Sequence, residues 1–389
     1  VALVYISNGN IPSTWAHTFQ IMKMTEALSR LARGVSLMVA VDMVNYHLRR
    51  NRTDLWRWYG LRTRFDIRRV PIAWHQNPVH ERDSNPRFCL VAPLLARLGR
   101  HRTVITRSPT VALRSLKLRM PTIFELHSVP KPKVLEAIAA IVRHPGLVGL
   151  VANTTAVAES LVAAGADEAS VLVAPNGVDL DQFDADADRS DARRRLGLPD
   201  DAPIVMYCGH LYDYKGIADI IDSARRLSQI RFVLVGGRPE EVERWRQSAE
   251  GVTNLRFEGF VANQELPRYL AASDICLSTH SARHEAAAWT SPLKLYEYMA
   301  AGRPIVATDI PATRDLLRHG HNAVVIEADN AEALSAGIQH LLDRPALGVS
   351  LVRQARSEAE GFGWPARAES ILGRFAPELL ERRPGPGVA

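Results

Sequence analysis

Short apolar runs rich in β-branched residues alternate with stretches whose apolar positions recur at helical spacing along nearly all 389 residues. That alternation predicts an α/β protein built on parallel sheets. The first half offers strands at 2–7, 35–41, 66–72, 103–107, 121–126 and 148–152, and between the first two Ile21, Met24, Leu28 and Leu31 share one helical face. After VLVAPNGVDLDQF the alternation restarts with IVMYCG, RFVLVGG, NLRFEGF, DICLST, PIVATD and AVVIEA. Two doubly wound units are therefore expected, divided at Pro175, Asn176 and Gly177 and the acidic run that follows. Each unit would take ligands at the carboxyl ends of its strands.

Composition agrees with that picture. With 47% hydrophobic and 23% charged residues the chain reads as ordinary globular protein, and its length suits two domains. Disorder is expected only at RRPGPGVA. Cys89, Cys208 and Cys276 are far apart and lack CxxC or metal-ligand spacing, which suits a reducing compartment. No apolar run approaches the roughly 18 residues of a spanning helix. VALVYIS has no basic flank and reads as a strand rather than a signal peptide. A cytoplasmic protein is expected, either free or peripheral at a membrane. Two charge features refine this. Residues 1–180 carry 23 Lys and Arg against 12 Asp and Glu, and the remainder is net acidic. The densest basic part, YHLRRNRTDLWRWYGLRTRFDIRRV, either serves an anionic acceptor, a membrane surface or nucleic acid, or is a solvated helix with its aromatics turned inward. The run from Asp184 to Asp188 reads as a helix start rather than a metal site.

Candidate chemistry concentrates in four segments. In TSPLKLYEYMAAG, Ser291 suits an N-cap and Pro292 the first helical position, so the first amides face outward for an anion. Glu297 follows six residues later, roughly 9 Å along a helix, the span from a diphosphate to ribose hydroxyls. The alternative for Glu297 is a solvent-facing acid. In YCGHLYDYKG, Lys215 stands at a strand-to-helix turn, where it can neutralise a phosphate or lie on plain surface. In TIFELHS, His127 ends a strand two residues after an acid and either contacts ligand or is a satisfied strand-end histidine. The fourth, SNGNIPST, holds a single glycine, Gly9, and no GxGxxG fingerprint.

Taken in order, PNGVD, GHLYDYKG, FVLVGG, FEGFV and SPLKLYEYMAAGRPIVATD resemble the retaining glycosyltransferases of family four, closely over about 171–326 and more loosely through NIPSTWAHTFQIMKM and ELHS. The resemblance implies a GT-B fold: two Rossmann-like doubly wound parallel-sheet domains facing a cleft. The first, at 1–174, would bind acceptor and be joined by a crossing-back C-terminal helix at 365–389. The second, at 175–364, would bind the nucleotide sugar. It implies transfer of a sugar from a nucleotide diphosphate donor, with a UDP-sugar favoured, to a hydroxyl acceptor. That acceptor would be anionic or membrane-borne, or an amphiphilic small molecule. Retention would need no cofactor, no obligatory metal and no protein nucleophile, and no nucleic-acid partner is expected. Lys215 and His127 take the catalytic roles. Lys215, His210, Glu297, Ser291, Leu293, Lys294, Phe260, Val261 and Gly9 fall on donor-binding positions, and Ser13, Thr14, His17 and Glu285 on acceptor or sugar positions. Two positions depart from the family pattern: Trp289 replaces the first acid of an E-x7-E pair, and His210 replaces an arginine. They keep rival readings in view, namely another GT-B enzyme such as an epimerase or phosphorylase, or a non-catalytic binder of anionic ligands.

Overall fold

A computed structural model of the chain describes residues 3–9, 11–13, 15–42, 54–72, 86–183 and 187–380. They form two compact units, Val1–Asn176 with Trp364–Ala389, and Gly177–Gly363. The discontinuous one is unit 1 below, the continuous one unit 2. The tail 382–389 lies outside the described residues.

Unit 1 is built on seven strands: β1 (Leu3–Ser7), β2 (Val35–Asp42), β3 (Asp66–Ile72), β4 (Thr103–Thr106), β5 (Thr122–Leu126), β6 (Leu147–Ala152) and β7 (Val171–Val173). All pair in parallel in the order β3-β2-β1-β4-β5-β6-β7. β7 was not among the expected strands because it is only three residues long, and its pairing with β6 fixes it where periodicity gives no signal. Helices cover both faces, so the central strands are apolar throughout: Leu3, Val4, Tyr5 and Ile6 are fully buried. The order of the strands reverses between β1 and β4, and a ligand site is expected at that point.

The helix Trp364–Phe375, which starts one residue earlier than expected, belongs to unit 1 and packs against the helix Ala16–Leu31 and against β6. Its Phe375 ring occupies the space over Gly149, where a Cβ would come within 2.2 Å of the ring. In the basic stretch, described from residue 54, Asp54 caps a short helix, Leu55–Tyr59, that buries Leu55 and Tyr59. Tyr59 Oη accepts from the Ser13 amide at 2.8 Å, so this aromatic serves packing.

Unit 2 repeats the plan with β8 (Ile204–Cys208), β9 (Arg231–Val235), β10 (Leu255–Gly259), β11 (Ile275–Ser278), β12 (Ile305–Thr308) and β13 (Val324–Ile326), parallel in the order β10-β9-β8-β11-β12-β13. Its reversal lies between β8 and β11. The helix Ile217–Arg226 buries Ile217, Ile220, Ile221 and Ala224 on the sheet, the stripe expected from its spacing. Asp188 caps the helix Arg189–Leu196 by accepting from the Ser190 and Asp191 amides, and 184–186 lie outside the described residues. The three cysteines are buried and unbonded to one another. Among the described residues no helix is long and apolar enough to cross a membrane.

Candidate active site

In unit 2 the loops leaving β8 and β11, the two strands at the reversal, are bolted together. The turn Asp213–Lys215 leads into Gly216, whose φ of 68° and whose Cβ position, only 1.9 Å from the Thr279 carbonyl oxygen, admit glycine alone. Thr279 Oγ1 donates to the Lys215 carbonyl at 2.7 Å, and the Ser281 amide donates to the Tyr214 carbonyl at 2.9 Å. Lys215 is thereby fixed at the carboxyl edge of the sheet. Its ammonium group meets His280 Nε2 and lies 4.8 Å from the centre of the Tyr214 ring. Burial draws the Lys215 amine down to about 7. His280, 2% exposed, is held well below its ordinary value by burial and then by Lys215 and Lys294, so a neutral ring faces the lysine.

The second lysine arrives from the helix Leu293–Ala300. This helix starts one residue later than expected: Pro292 takes the cap position, and Ser291 Oγ pairs with Tyr296 Oη at 3.0 Å. Lys294 then points inward, 8% exposed, with Nζ 3.4 Å from the centre of the Tyr207 ring. It lies 3.3 Å from where a Cβ on Gly209 would stand, against the first residue of the β8 loop. No hydrogen-bond partner reaches Lys294 Nζ among the described residues. Burial, followed by the nearby Lys215 charge, holds this amine well below its ordinary value. Burying an amine without a partner is costly. Glu297 lies half-buried three residues further along the same helix.

The remaining unit 2 candidates take distinct places. His210 starts a ladder of rings, stacked on Tyr212 at 5.0 Å, which stacks on Tyr214, which in turn lies 4.0 Å from His284. Burial lowers His210 although Glu241 opposes it, so near neutral pH no fixed cation stands where the family has arginine. Phe260 and Val261 follow β10. Phe260 is 52% exposed and Val261 packs on the core. Glu285 is exposed and opens the turn Glu285–Ala288, and Trp289 closes it half-buried.

In unit 1, His127 directly follows β5, and its Nε2 lies 2.6 Å from Glu125 Oε1. Burial pushes the Glu125 carboxyl up, but Arg107 and Arg367 outweigh it and hold the group ionised, well below the usual carboxylate range. Burial and then Arg107 bring His127 down to about 4 despite Glu125. A neutral His127 therefore donates from Nε2 to Glu125 and keeps Nδ1 as an acceptor. Tyr5 Oη donates to Glu125 at 2.8 Å, Arg107 Nη1 donates to Gln20 at 2.7 Å, and Arg367 Nη2 donates to Glu125 at 2.6 Å. Arg367 also donates to the Pro175 carbonyl at 2.8 Å. Gly9 lies against His17, with a Cβ position 2.9 Å from His17 Nε2. Ser13 Oγ pairs with Thr18 Oγ1 at 2.8 Å, and Thr14 lies outside the described residues.

Sequence reasoning passed over Arg107, Arg367 and His280, and placed Lys294 at a donor-binding position by resemblance alone. The signal for Lys294 was available, since it is the lone cation among the apolar positions of SPLKLYEYM. His280 and Arg107 follow strands much as Lys215 and His127 do, one at each sheet reversal. Arg367 had no signal, because its partners lie 192 and 242 residues away in the chain.

Comparison with known proteins agrees with the fold. Residues 202–344 match the family described as Glycosyl transferases group 1. The D-inositol 3-phosphate glycosyltransferase of Acidothermus cellulolyticus is 30% identical over 293 residues, 68% of this chain and 63% of that protein. Its counterpart from Kineococcus radiotolerans is 29% identical over 258 residues, 60% of this chain and 58% of that protein. The matches thus span less than two thirds of the length of these relatives. Among solved structures, Anabaena HepE in complex with UDP and glucose superposes with a TM-score of 0.73 at 17% identity, covering 95% of this chain and 98% of that one. Sucrose-phosphate synthase from Thermosynechococcus elongatus gives 0.76 at 19% identity, covering 97% and 98%.

Proposed function

We propose that the chain, which has the GT-B fold and resembles the group 1, family-four glycosyltransferases, transfers a sugar from a nucleotide diphosphate donor, a UDP-sugar, to a hydroxyl acceptor with retention at the anomeric carbon. The observation that carries this reading is the pair of lowered amines, Lys215 and Lys294, beside Gly209 at the β8/β11 reversal. Two buried amines with too little counter-charge suit an anion of at least two negative charges, and a diphosphate supplies it. Lys294 provides from the helix the cation that His210 does not.

In this reading unit 2 holds the donor. Lys215, Lys294 and the amides of Leu293 and Lys294 hold the diphosphate, and Glu297 accepts from the ribose hydroxyls. Ser291 borders the phosphates, and Phe260 with Val261 borders the base. As the bond from the anomeric carbon to the departing phosphate oxygen breaks, the two ammonium groups take up the developing charge. The new bond to the acceptor oxygen forms on the same face, and the acceptor proton passes to the departing phosphate. No divalent cation is needed for that neutralisation. Unit 1 serves the acceptor: His127 Nδ1 accepts from a hydroxyl and His17 and Ser13 border it, while Gly9 leaves room for close approach of the donor. The relatives' inositol phosphate suggests an anionic acceptor, which suits the basic first half.

Calorimetric titration with UDP, GDP, ADP and dTDP tests this. One nucleotide is expected to bind in the micromolar range, and Lys215→Ala and Glu297→Ala are each expected to cost about 1 kcal/mol or more, the scale of a lost charged hydrogen bond. Binding of none of the four, or binding that both variants leave unchanged, removes the reading.

A further inference from the structure

The helix Pro86–Leu98 in unit 1 is apolar on every side. Its thirteen residues, PRFCLVAPLLARL, contain only two polar side chains, Arg87 and Arg97. One face is spent on the core: Phe88, Cys89, Ala92 and Ala96 are 0 to 1% exposed. The opposite face carries Leu90, Val91, Leu94, Leu95 and Leu98 at 51, 40, 42, 39 and 70% exposed. Spacings of one, three and four residues put these five on one continuous stripe. They make up five of the thirteen large hydrophobic side chains exposed among the described residues, gathered in nine positions. A helix apolar all round is ordinarily buried in a core or in lipid. At about 20 Å this one is too short for the roughly 30 Å of a bilayer's hydrocarbon.

Charge identifies what covers the stripe. From residue 84 to residue 124 the sequence holds eight Lys and Arg and no Asp or Glu. Exposed Arg97 flanks the stripe, Arg100 and Arg102 follow it, and exposed Arg114 and Lys117 stand on the helix Pro109–Lys117, which packs beside it. A second copy of this chain would bring like charges together with no acid from this segment to pair them. A nucleic acid would satisfy the arginines but not five aliphatic side chains. A surface with anionic groups above a hydrocarbon layer satisfies both.

We infer that the exposed face of Pro86–Leu98 docks unit 1 on an anionic lipid bilayer, with Leu90, Val91, Leu94, Leu95 and Leu98 entering the acyl boundary and the flanking arginines on lipid phosphates. This stands apart from the donor reading, because these residues all belong to unit 1 and the lysine pair to unit 2.

Flotation of the full chain with vesicles of phosphatidylcholine alone, and of equal parts phosphatidylcholine and phosphatidylglycerol, tests it. Binding is expected only to the anionic vesicles and to fall as salt is raised. Leu94→Gln with Leu98→Gln should weaken it about tenfold or more, and Arg97→Gln with Arg114→Gln should weaken it and flatten its salt dependence. Melting curves matching the parent keep the variants interpretable. As a readout independent of their folding, an environment-sensitive dye on Leu98→Cys should shift to the blue on anionic vesicles, the native cysteines being buried. The inference is overturned by absence of binding, by binding that the leucine variant leaves unchanged, by equal binding to both vesicle types, or by a vesicle-free dimer in sedimentation that the leucine variant abolishes.

Discussion

Lys294 separates a structural from a functional account most sharply. A buried amine without a hydrogen-bond partner is a liability to the free fold, so Lys294→Met should leave the melting temperature unchanged or raise it. The same change should weaken nucleotide diphosphate binding by about 1.5–3 kcal/mol, the worth of a hydrogen bond to a charged group. Thermal melting and calorimetry on one sample check both. Lys215 makes a prediction about pH with two opposite signs. Its amine lies at about 7 in the fold against an ordinary 10.5, so between those values the unfolded chain holds a proton that the folded one has lost. Stability of the ligand-free protein should therefore rise with pH across that window and decline toward its lower end. A bound diphosphate favours the charged amine, so nucleotide affinity should fall as pH rises above about 7. Binding there should take up a proton, seen as a dependence of the calorimetric heat on the buffer's ionisation enthalpy.

Strands and helices were the legible part of this sequence, and their ends were not. The expected strands in each unit sit where runs such as LVYIS and IVMYC put them, because a parallel strand buried on both faces has to be continuously apolar. The helix at Leu293 starts one residue later than expected, with Pro292 at the cap position and Ser291 paired with the Tyr296 hydroxyl, a contact between side chains that no local pattern shows. The site divides in the same way. Lys215 and His127 could be found because each directly follows or closes a turn after a strand, whereas Arg367 reaches Glu125 from 242 residues further along the chain. That last contact makes the helix Trp364–Phe375 part of the His127 site rather than a cover on it. Arg367→Met should destabilise unit 1, though by less than the roughly 3–5 kcal/mol of a buried charge left with no partner, since Tyr5 and His127 also stay on Glu125. Because Arg107 stays, the loss should register in urea unfolding of unit 1 and leave unit 2 unchanged.

At the scale of the whole molecule the two units differ in how the chain builds them. Unit 2 is one uninterrupted stretch, Gly177–Gly363, while unit 1 needs residues from both sides of it. A chain ended after Gly363 should accordingly keep a cooperative melting transition for unit 2 and its nucleotide binding. It should lose the transition of unit 1, which is left with the Phe375 space over Gly149 empty and Glu125 without Arg367. Translation gives that discontinuity a direction in time. Domains generally fold as they leave the ribosome, the earlier one first. Here the earlier one has to wait: its seven strands are synthesised before unit 2, but the arginine that completes its charge cluster emerges only after all of unit 2 has been made. The nascent protein passes through a stage in which the later half is finished and the earlier half is still open, and during that stage a chaperone would find its substrate in the first 176 residues.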